Sequence, residues 1–428
     1  MTSLVLTHYR PERPTSGAPL RNWQNIKALA SFGPVDVVTV GVDETPQAVK
    51  GIREWAPFSL RSRSAWDRLK TKCAPLRPGI HPGVDMYSST AVRSWLRQRA
   101  GEGGYDIALI ETIVLAAYGD ELRRAARRVV FDAHNIEGTL QPTLDEALFT
   151  RAEILRGIKH RVLSGRLRAA ERRAITRADL VWVCSDTDAK EVSRLYGRRT
   201  GVTVVPNGVD VDAYRRAAAP RVDADWSARP VTMVYPGFFS YPPNEDAALR
   251  LIQHVLPAVR ARGYAARVVV AGRNPTPAIL AAAARDAAVE VTGAVESMVP
   301  YLEQPCVVTL PITVGSGTRL KIIEAFAVGR PVVSSAKGVE GIDAVDGTHL
   351  LIRDQPEHMA QAVVDLWKSP SMRAQICKSA LELTRLYYSW SAATDRIATS
   401  LGLGVRQTEF RTAMHREHAA AHADGKVH

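Results

Sequence analysis

Short β-branched runs alternate with helical stretches along this chain, and the alternation stops once and then restarts. In the first half, Leu4–Leu6, Val35–Val40, Ile107–Ile110, Val129–Asp132 and Leu180–Cys184 read as strands. Each is a short apolar run bounded by polar or turn residues. The stretches Leu20–Ala30, Thr90–Arg99 and Ala152–Thr176 read as helices between them. Strands separated by helices pair in parallel, with right-handed crossovers. Residues 215–230 hold Ala, Pro, Arg and Asp without periodicity and read as a linker. The pattern then resumes with Val231–Tyr235, Ala266–Ala271, Val289–Val291, Val307–Leu310, Pro331–Ser334 and Thr348–Ile352, and with helices at Asn244–Arg262 and Leu320–Val328. A chain of 428 residues exceeds one compact core and suits two. The expectation is an α/β protein with two doubly wound domains, residues 1–214 and 231–384. Ligands of such sheets sit outside the carboxyl ends of the strands, so facing domains share a cleft. The last long helix ends near Leu401, and residues 404–428 form a polar tail with four histidines.

Composition narrows the class. Hydrophobic residues make up 46% and charged residues 23%, ordinary for a globular protein. No apolar run reaches the roughly 18 residues of a membrane span. The start, Met1 to Leu6, turns polar at Thr7-His8 and reads as a first strand rather than a signal peptide. Cys73, Cys184, Cys306 and Cys377 lie far apart, which argues against a disulfide framework or metal cluster and fits a reducing cytoplasm. The net charge of +12 is lopsided, with 34 basic against 24 acidic residues in 1–216 and 22 against 20 beyond. A basic first half fits an anionic acceptor, an anionic membrane surface or simply a solvated Arg-rich face. Nucleic acid is not expected, because aromatics are only 7% and do not interleave with the basic residues outside Trp55–Trp66. Residues 57–88, rich in Pro, Arg, Lys and Trp, read as a long loop or a surface amphipathic segment that could touch a membrane.

The most informative stretch runs from Pro311 to Val333, through Gly315-Ser316-Gly317-Thr318-Arg319-Leu320-Lys321 and Glu324 to Gly329-Arg330-Pro331. It follows a strand and opens a helix. Gly315 and Gly317 permit close backbone approach, and the helix N-terminus offers free N–H groups at a positive dipole end. Arg319 and Lys321 add full charges, so the group suits a diphosphate. Glu324, one to two turns into the helix, can accept from ribose hydroxyls. A tight turn and a solvated Glu are the plainer readings of these pieces taken singly.

This stretch resembles the donor site of retaining glycosyltransferases of family 4, in the subgroup with a Gly-Ser-Gly-Thr-Arg-Leu-Lys loop. Further motifs resemble the family in the same order. They are Phe131-Asp132-Ala133-His134-Asn135-Ile136-Glu137, Val205-Pro206-Asn207-Gly208-Val209-Asp210, Pro236-Gly237-Phe238 through Tyr241 to Ala247, and Tyr388-Ser389-Trp390. The resemblance implies two Rossmann-like domains in the GT-B arrangement, an N-terminal acceptor domain, a C-terminal nucleotide-sugar domain, and a helix at 385–403 that crosses back. It implies transfer of a hexose-type sugar from a nucleotide diphosphate sugar, a UDP-sugar by preference, without metal or other cofactor. The wider family carries two glutamates eight residues apart. Glu324 matches the second, and Ser316 stands at the first.

Other candidates follow. The resemblance implies that His134 contacts the transferred sugar or steadies the reacting phosphate; the alternative is a core or capping histidine. Ser16-Gly17, with Arg21 beyond, has the placement of a phosphate-approaching turn or a plain strand–helix turn. Gly237, Gly272 and Gly293 end strands, and the resemblance places the nucleotide base near the last two. Arg319, Lys321 and the helix N-terminus would stabilise the leaving diphosphate, whose oxygen takes the acceptor proton. The acceptor is a small molecule, a glycan or a lipid-linked glycan. Rival readings are a nucleotide-sugar epimerase on the same fold and a non-catalytic nucleotide-binding protein.

Overall fold

A computed structural model describes residues 1–12, 17–44, 49–74, 81–138, 154–217, 224–315 and 319–403. Ser16, Ser316, Gly317, Thr318 and the 404–428 tail lie outside the described residues. The chain forms two parallel sheets. The first holds β1 (Ser3–Thr7), β2 (Val35–Val40), β3 (Ile52–Phe58), β4 (Tyr105–Glu111), β5 (Ala126–Ala133), β6 (Leu180–Val183) and β7 (Val202–Val204), in the order β3-β2-β1-β4-β5-β6-β7. The second holds β8 (Val231–Pro236), β9 (Ala266–Ala271), β10 (Val289–Gly293), β11 (Val307–Leu310), β12 (Val332–Ser334) and β13 (Leu351–Ile352), in the order β10-β9-β8-β11-β12-β13. Each order reverses beside its first strand, so each sheet has a switch point, between β1 and β4 and between β8 and β11. This is the two-domain Rossmann-like GT-B architecture.

Alternation along the strands splits the first sheet's core. Leu4 and Leu6 face one layer and Val5 the other, each of them fully buried. The layer under Val5 takes Ile26 and Leu29 from the helix Gly17–Ala30, and also Ala393, Ile397 and Leu401 from the end of the chain. The helix Pro370–Tyr387 belongs to the second domain. At its end the chain turns, Trp390 N donates to Val209 O (3.1 Å), and the helix Trp390–Ser400 runs onto the first sheet. Trp182 Nε1 then donates to Ser400 Oγ at 3.1 Å. Gly208 lies under this crossing; a Cβ there would meet Tyr388 O at 2.7 Å, so no side chain fits.

The structure differs from the sequence reading at three places. Strands β3 and β7 went unread, because Ile52–Phe58 carries charge and Pro, and Val202–Val204 is only three residues long. Part of 57–88 is a helix, Ala65–Cys73. The segment around 215–230 is not a bare linker: residues 211–217 are helical, and Val209, Val211 and Trp226 are buried in the second domain's core. Trp226 stacks against Trp367 with ring centroids 4.9 Å apart, and the Arg373 guanidinium lies 3.9 Å from the Trp226 ring.

Candidate active site

Three glycines lie side by side at the carboxyl ends of the second sheet. Gly237 N donates to Ala271 O (2.9 Å) and Gly272 N to Gly293 O (3.1 Å). Gly272 has φ 147°, and a Cβ there would fall 1.7 Å from Gly237 O. Backbone therefore faces whatever occupies this edge. On the other side of the switch point, β11 leads through Gly315 (φ 108°) to Arg319, which caps the helix Leu320–Val328. A Cβ at Gly315 would meet Arg319 Nη2 at 2.9 Å and Tyr241 Oη at 3.1 Å.

Lys321 lies on the first turn of that helix, partly buried. Its Nζ donates to Asn244 Oδ1 (3.0 Å) and Tyr235 Oη (3.3 Å), and sits 4.4 Å from the centre of the Tyr235 ring. Burial, with repulsion from Arg319, pulls its pKa down to about 7 against the pull of Glu324. Burial raises the Glu324 carboxyl, while Tyr214 and Lys321 oppose the rise. Tyr214 Oη donates to Glu324 Oε1 at 2.9 Å.

The first domain gathers a buried polar network at the ends of β1, β4 and β5. His134 Nε2 lies 3.1 Å from both Glu111 Oε2 and Asp132 Oδ2. Asn25 Nδ2 donates to Glu111 Oε1 (3.1 Å) and Asp132 Oδ2 (2.9 Å). Arg21 is part of this network and does not face the turn. Its guanidinium makes a fork on Asp132 (2.7 and 2.5 Å) and reaches Val205 O (2.6 Å) and Asn207 Oδ1 (3.0 Å). At 2% exposure it is sealed from a ligand, which corrects the expectation that Arg21 adds charge to a phosphate turn. Its role is to fix Asp132.

Burial would raise Asp132, but Arg21 and His134 outweigh it and hold this carboxyl well below the usual range. Glu111 lacks an Arg, and burial together with Asp132 pushes it up to about 7. Burial would lower His134; hydrogen bonds to Asp132 and Glu111 reverse that and raise it. Its Nδ1 has no hydrogen-bond partner among the described residues. His8, at the end of β1, is pulled down to about 4 by burial and by His134, and is neutral at pH 7. Thr112 follows Glu111 with φ 91°, a strained value for a β-branched residue, and its Oγ1 lies 3.3 Å from His8 Nδ1. Glu111, Thr112 and His8 went unread in the sequence. Glu111 closes an apolar strand, and a lone carboxylate ending such a run is the signal that was available.

Glu111, Asp132 and His134 also form a grouping of metal-ligand type among the described residues. Arg21 already spans both oxygens of Asp132, and a second cation would meet its repulsion. The Asp-x-Asp triplets at Asp186–Asp188 and Asp210–Asp212 are helix starts, where Asp210 Oδ1 accepts from Ala213 N at 2.9 Å. A cavity of about 270 Å³ elsewhere in the first domain, floored by Ile110, Val129 and Ala174, is lined by none of the candidate residues.

The two halves meet at their helix N-termini. A Cβ on Gly17, which opens the helix Gly17–Ala30, would sit 3.0 Å from Leu320 Cδ1 at the start of Leu320–Val328. Two positive dipole ends and the Arg319–Lys321 pair therefore lie together. Residues 16–208 match a family model described as a glycosyl transferase 4-like domain, and residues 230–369 one described as glycosyl transferases group 1. The chain belongs to the GT-B glycosyltransferases. No curated protein matches it in sequence. Among solved structures this glycosyltransferase is similar in fold to HepE of Anabaena in complex with UDP-glucose, at 15% identity and TM-score 0.66, over 94% of this chain and 99% of that one. It is also similar to sucrose-phosphate synthase of Thermosynechococcus elongatus (16%, TM-score 0.67, 97% and 99%). A third is the UDP-forming α,α-trehalose-phosphate synthase of Burkholderia xenovorans (14%, TM-score 0.63, 94% and 98%).

Proposed function

We propose that this glycosyltransferase moves a hexose-type sugar from a UDP-sugar to a glycan, lipid-linked glycan or small-molecule hydroxyl, with retention of configuration and without a metal. The observation that carries the reading is the meeting of the Gly17 and Leu320 helix starts beside Arg319 and Lys321. That is a preorganised site for a leaving diphosphate. Glu324 receives the ribose, the backbone at Gly237, Gly272 and Gly293 receives the base, and the His134 network faces the sugar. The carboxylates of that network, Glu111 and Asp132, are both engaged by His134 and Asn25, so the departing phosphate oxygen takes the acceptor proton. The choice of UDP is supported by HepE, solved with UDP-glucose and with UDP.

The setting is a cytoplasmic one with contact to the inner membrane face. Among the described residues no helix is long and apolar enough to cross a membrane. The helix Ala65–Cys73 buries only Asp67 and turns Trp66 (61% exposed) and Leu69 (51%) outward, with Lys70 Nζ 5.3 Å from the Trp66 ring. The test of the catalytic reading is incubation with UDP-glucose, UDP-galactose and UDP-N-acetylglucosamine in the presence of EDTA. UDP release is followed with and without a panel of glycan and phosphorylated acceptors, and NMR of the product gives the anomeric configuration. No UDP release from any donor, or release that magnesium alone restores, would sink it.

A further inference from the structure

The long helix Ile154–Arg177 carries Glu171, which is 1% exposed and touches no candidate donor residue. Its carboxylate collects three donors. Oε1 accepts from Glu137 N at 2.8 Å, Oε2 accepts from Gly138 N at 2.9 Å, and Tyr196 Oη also donates to Oε2. Glu137 and Gly138 close the short loop that leaves β5 at Ala133 and holds His134. The start of that loop is fixed by strand pairing of Ala133 with Val183, and His134 O accepts from Cys184 Sγ at 3.3 Å. The loop is thus pinned at both ends, and His134 lies between the pins. Its far end is closely packed as well, since a Cβ on Gly138 would meet the side-chain tips Tyr196 Oη at 2.6 Å and Leu195 Cδ1 at 2.8 Å.

We infer that Glu171 is a positioning residue: by clamping the N–H groups of Glu137 and Gly138 it holds the His134 ring between Glu111 and Asp132. Two backbone N–H groups and a phenol all donate, so the clamp needs an acceptor on both oxygens, which only the carboxylate supplies. A glutamine keeps the shape but turns one oxygen into a donor facing a donor. Burial pushes the Glu171 carboxyl up to about 7 in spite of these three hydrogen bonds, so the clamp is fully charged only above that value and the variants are compared there. The inference depends on the glycosyltransfer reading only for what His134 does.

The test needs no substrate. In full-length protein labelled at histidine, the ring carbon signal of His134 is followed by NMR through a pH titration, beside amide exchange of the 133–138 segment. In Glu171→Gln, exchange at Glu137 and Gly138 is expected at least about tenfold faster, the scale of one lost hydrogen bond. The His134 midpoint is expected to move toward that of an ordinary histidine. Tyr196→Phe, which leaves both N–H bonds, keeps the wild-type curve. Glu171→Ala, which takes the acceptor away from both N–H groups, reproduces the Glu171→Gln shift and serves if that variant does not fold. A His134 titration identical to wild type in folded Glu171→Gln, or in folded Glu171→Ala, overturns the inference. A wild-type protein that releases no UDP from UDP-glucose or its congeners removes the glycosyltransfer reading and leaves the clamp standing. Where it does turn over, Glu171→Gln is expected to lower kcat with UDP affinity unchanged.

Discussion

Tyr214 Oη donates to Glu324 Oε1 at 2.9 Å, joining the segment between the two sheets to the helix that opens at Arg319. Tyr214 thereby engages one oxygen of Glu324, and on the proposed reading the other receives the ribose. Glu324→Gln is expected to weaken UDP binding about tenfold or more, the scale of hydrogen bonds to a charged acceptor. Tyr214→Phe is expected to change UDP affinity less than about threefold and to lower stability by about 1 kcal/mol. Calorimetric titration and urea unfolding measure the two. An unchanged dissociation constant in Glu324→Gln rejects the ribose assignment.

Arg319 and Lys321 are expected to stabilise the leaving diphosphate. Alanine at either should cut turnover by about a hundredfold or more, as for the loss of one preorganised charge stabiliser. Lys321 is also expected to make donor binding depend on pH. Its pKa is about 7 in the free protein, and a bound diphosphate is expected to draw a proton onto Lys321 and raise that value. Affinity is therefore full below about pH 7 and falls as pH rises toward the raised pKa, by up to about tenfold per unit. UDP-glucose is the right probe, because its phosphates do not titrate there. Near-normal turnover in both alanine variants, or a flat affinity profile from about pH 6 to about pH 9, would count against this role.

The Arg21–Asp132 pair is almost wholly inaccessible, with side-chain exposures of 1% and 0%. Arg21→Met strands a charged Asp132 beside Glu111. The expected loss is about 3–5 kcal/mol of stability at pH 7, the cost of leaving one member of a buried pair. The sign with pH follows from Asp132, whose pKa is depressed in the fold. Its contribution is present above the unfolded value near 3.8 and is lost as pH falls through the folded value, so the wild-type advantage over Arg21→Met narrows in acid. Urea unfolding at about pH 7 and at about pH 2.5, below the unfolded value, tests this; a difference below about 1 kcal/mol at pH 7 is incompatible with it.

What the sequence revealed was whatever depended on local pattern. Strand β9 was readable because Val268, Val269 and Val270 form an unbroken β-branched run that stops at Gly272. The helix Leu320–Val328 was readable to the residue, because Gly315 and Gly329 bracket a mostly apolar stretch. Arg21 shows where reading stops. A charge near a glycine turn looks like a ligand contact, and only the fold reveals its partner Asp132, 111 residues away. Glu171 was hidden for the same reason, since a buried carboxylate on a helix declares itself through partners distant in sequence. Trp226 was read as linker because a single aromatic among Ala, Pro and Arg has no period; its partner Trp367 comes 141 residues later.

The outward face of Ala65–Cys73 leads to the last expectation. Asp67 points inward and accepts from Thr90 N (3.0 Å) and Thr90 Oγ1 (2.7 Å), so this helix is held to the domain by its polar residue. Trp66 and Leu69 face solvent, and Met86 nearby in sequence is 41% exposed. Arg61, Arg68, Lys70 and Lys72 are exposed around them. Aromatic and aliphatic side chains among cations suit the interface of an anionic bilayer, where each basic residue near the surface contributes about 1 kcal/mol. The protein is expected to sediment with vesicles containing phosphatidylglycerol and not with pure phosphatidylcholine, and to be released by high salt. Trp66→Ala with Leu69→Ala should weaken sedimentation without changing the melting temperature, because neither side chain is buried. Alanine at Arg61, Arg68, Lys70 and Lys72 should abolish it. The same four changes tell a membrane from a phosphorylated acceptor: the first loses vesicle binding and keeps turnover on a soluble acceptor, the second loses turnover without vesicles present. Protein that stays in solution with anionic vesicles, and keeps full activity in the fourfold variant, leaves this face with neither role.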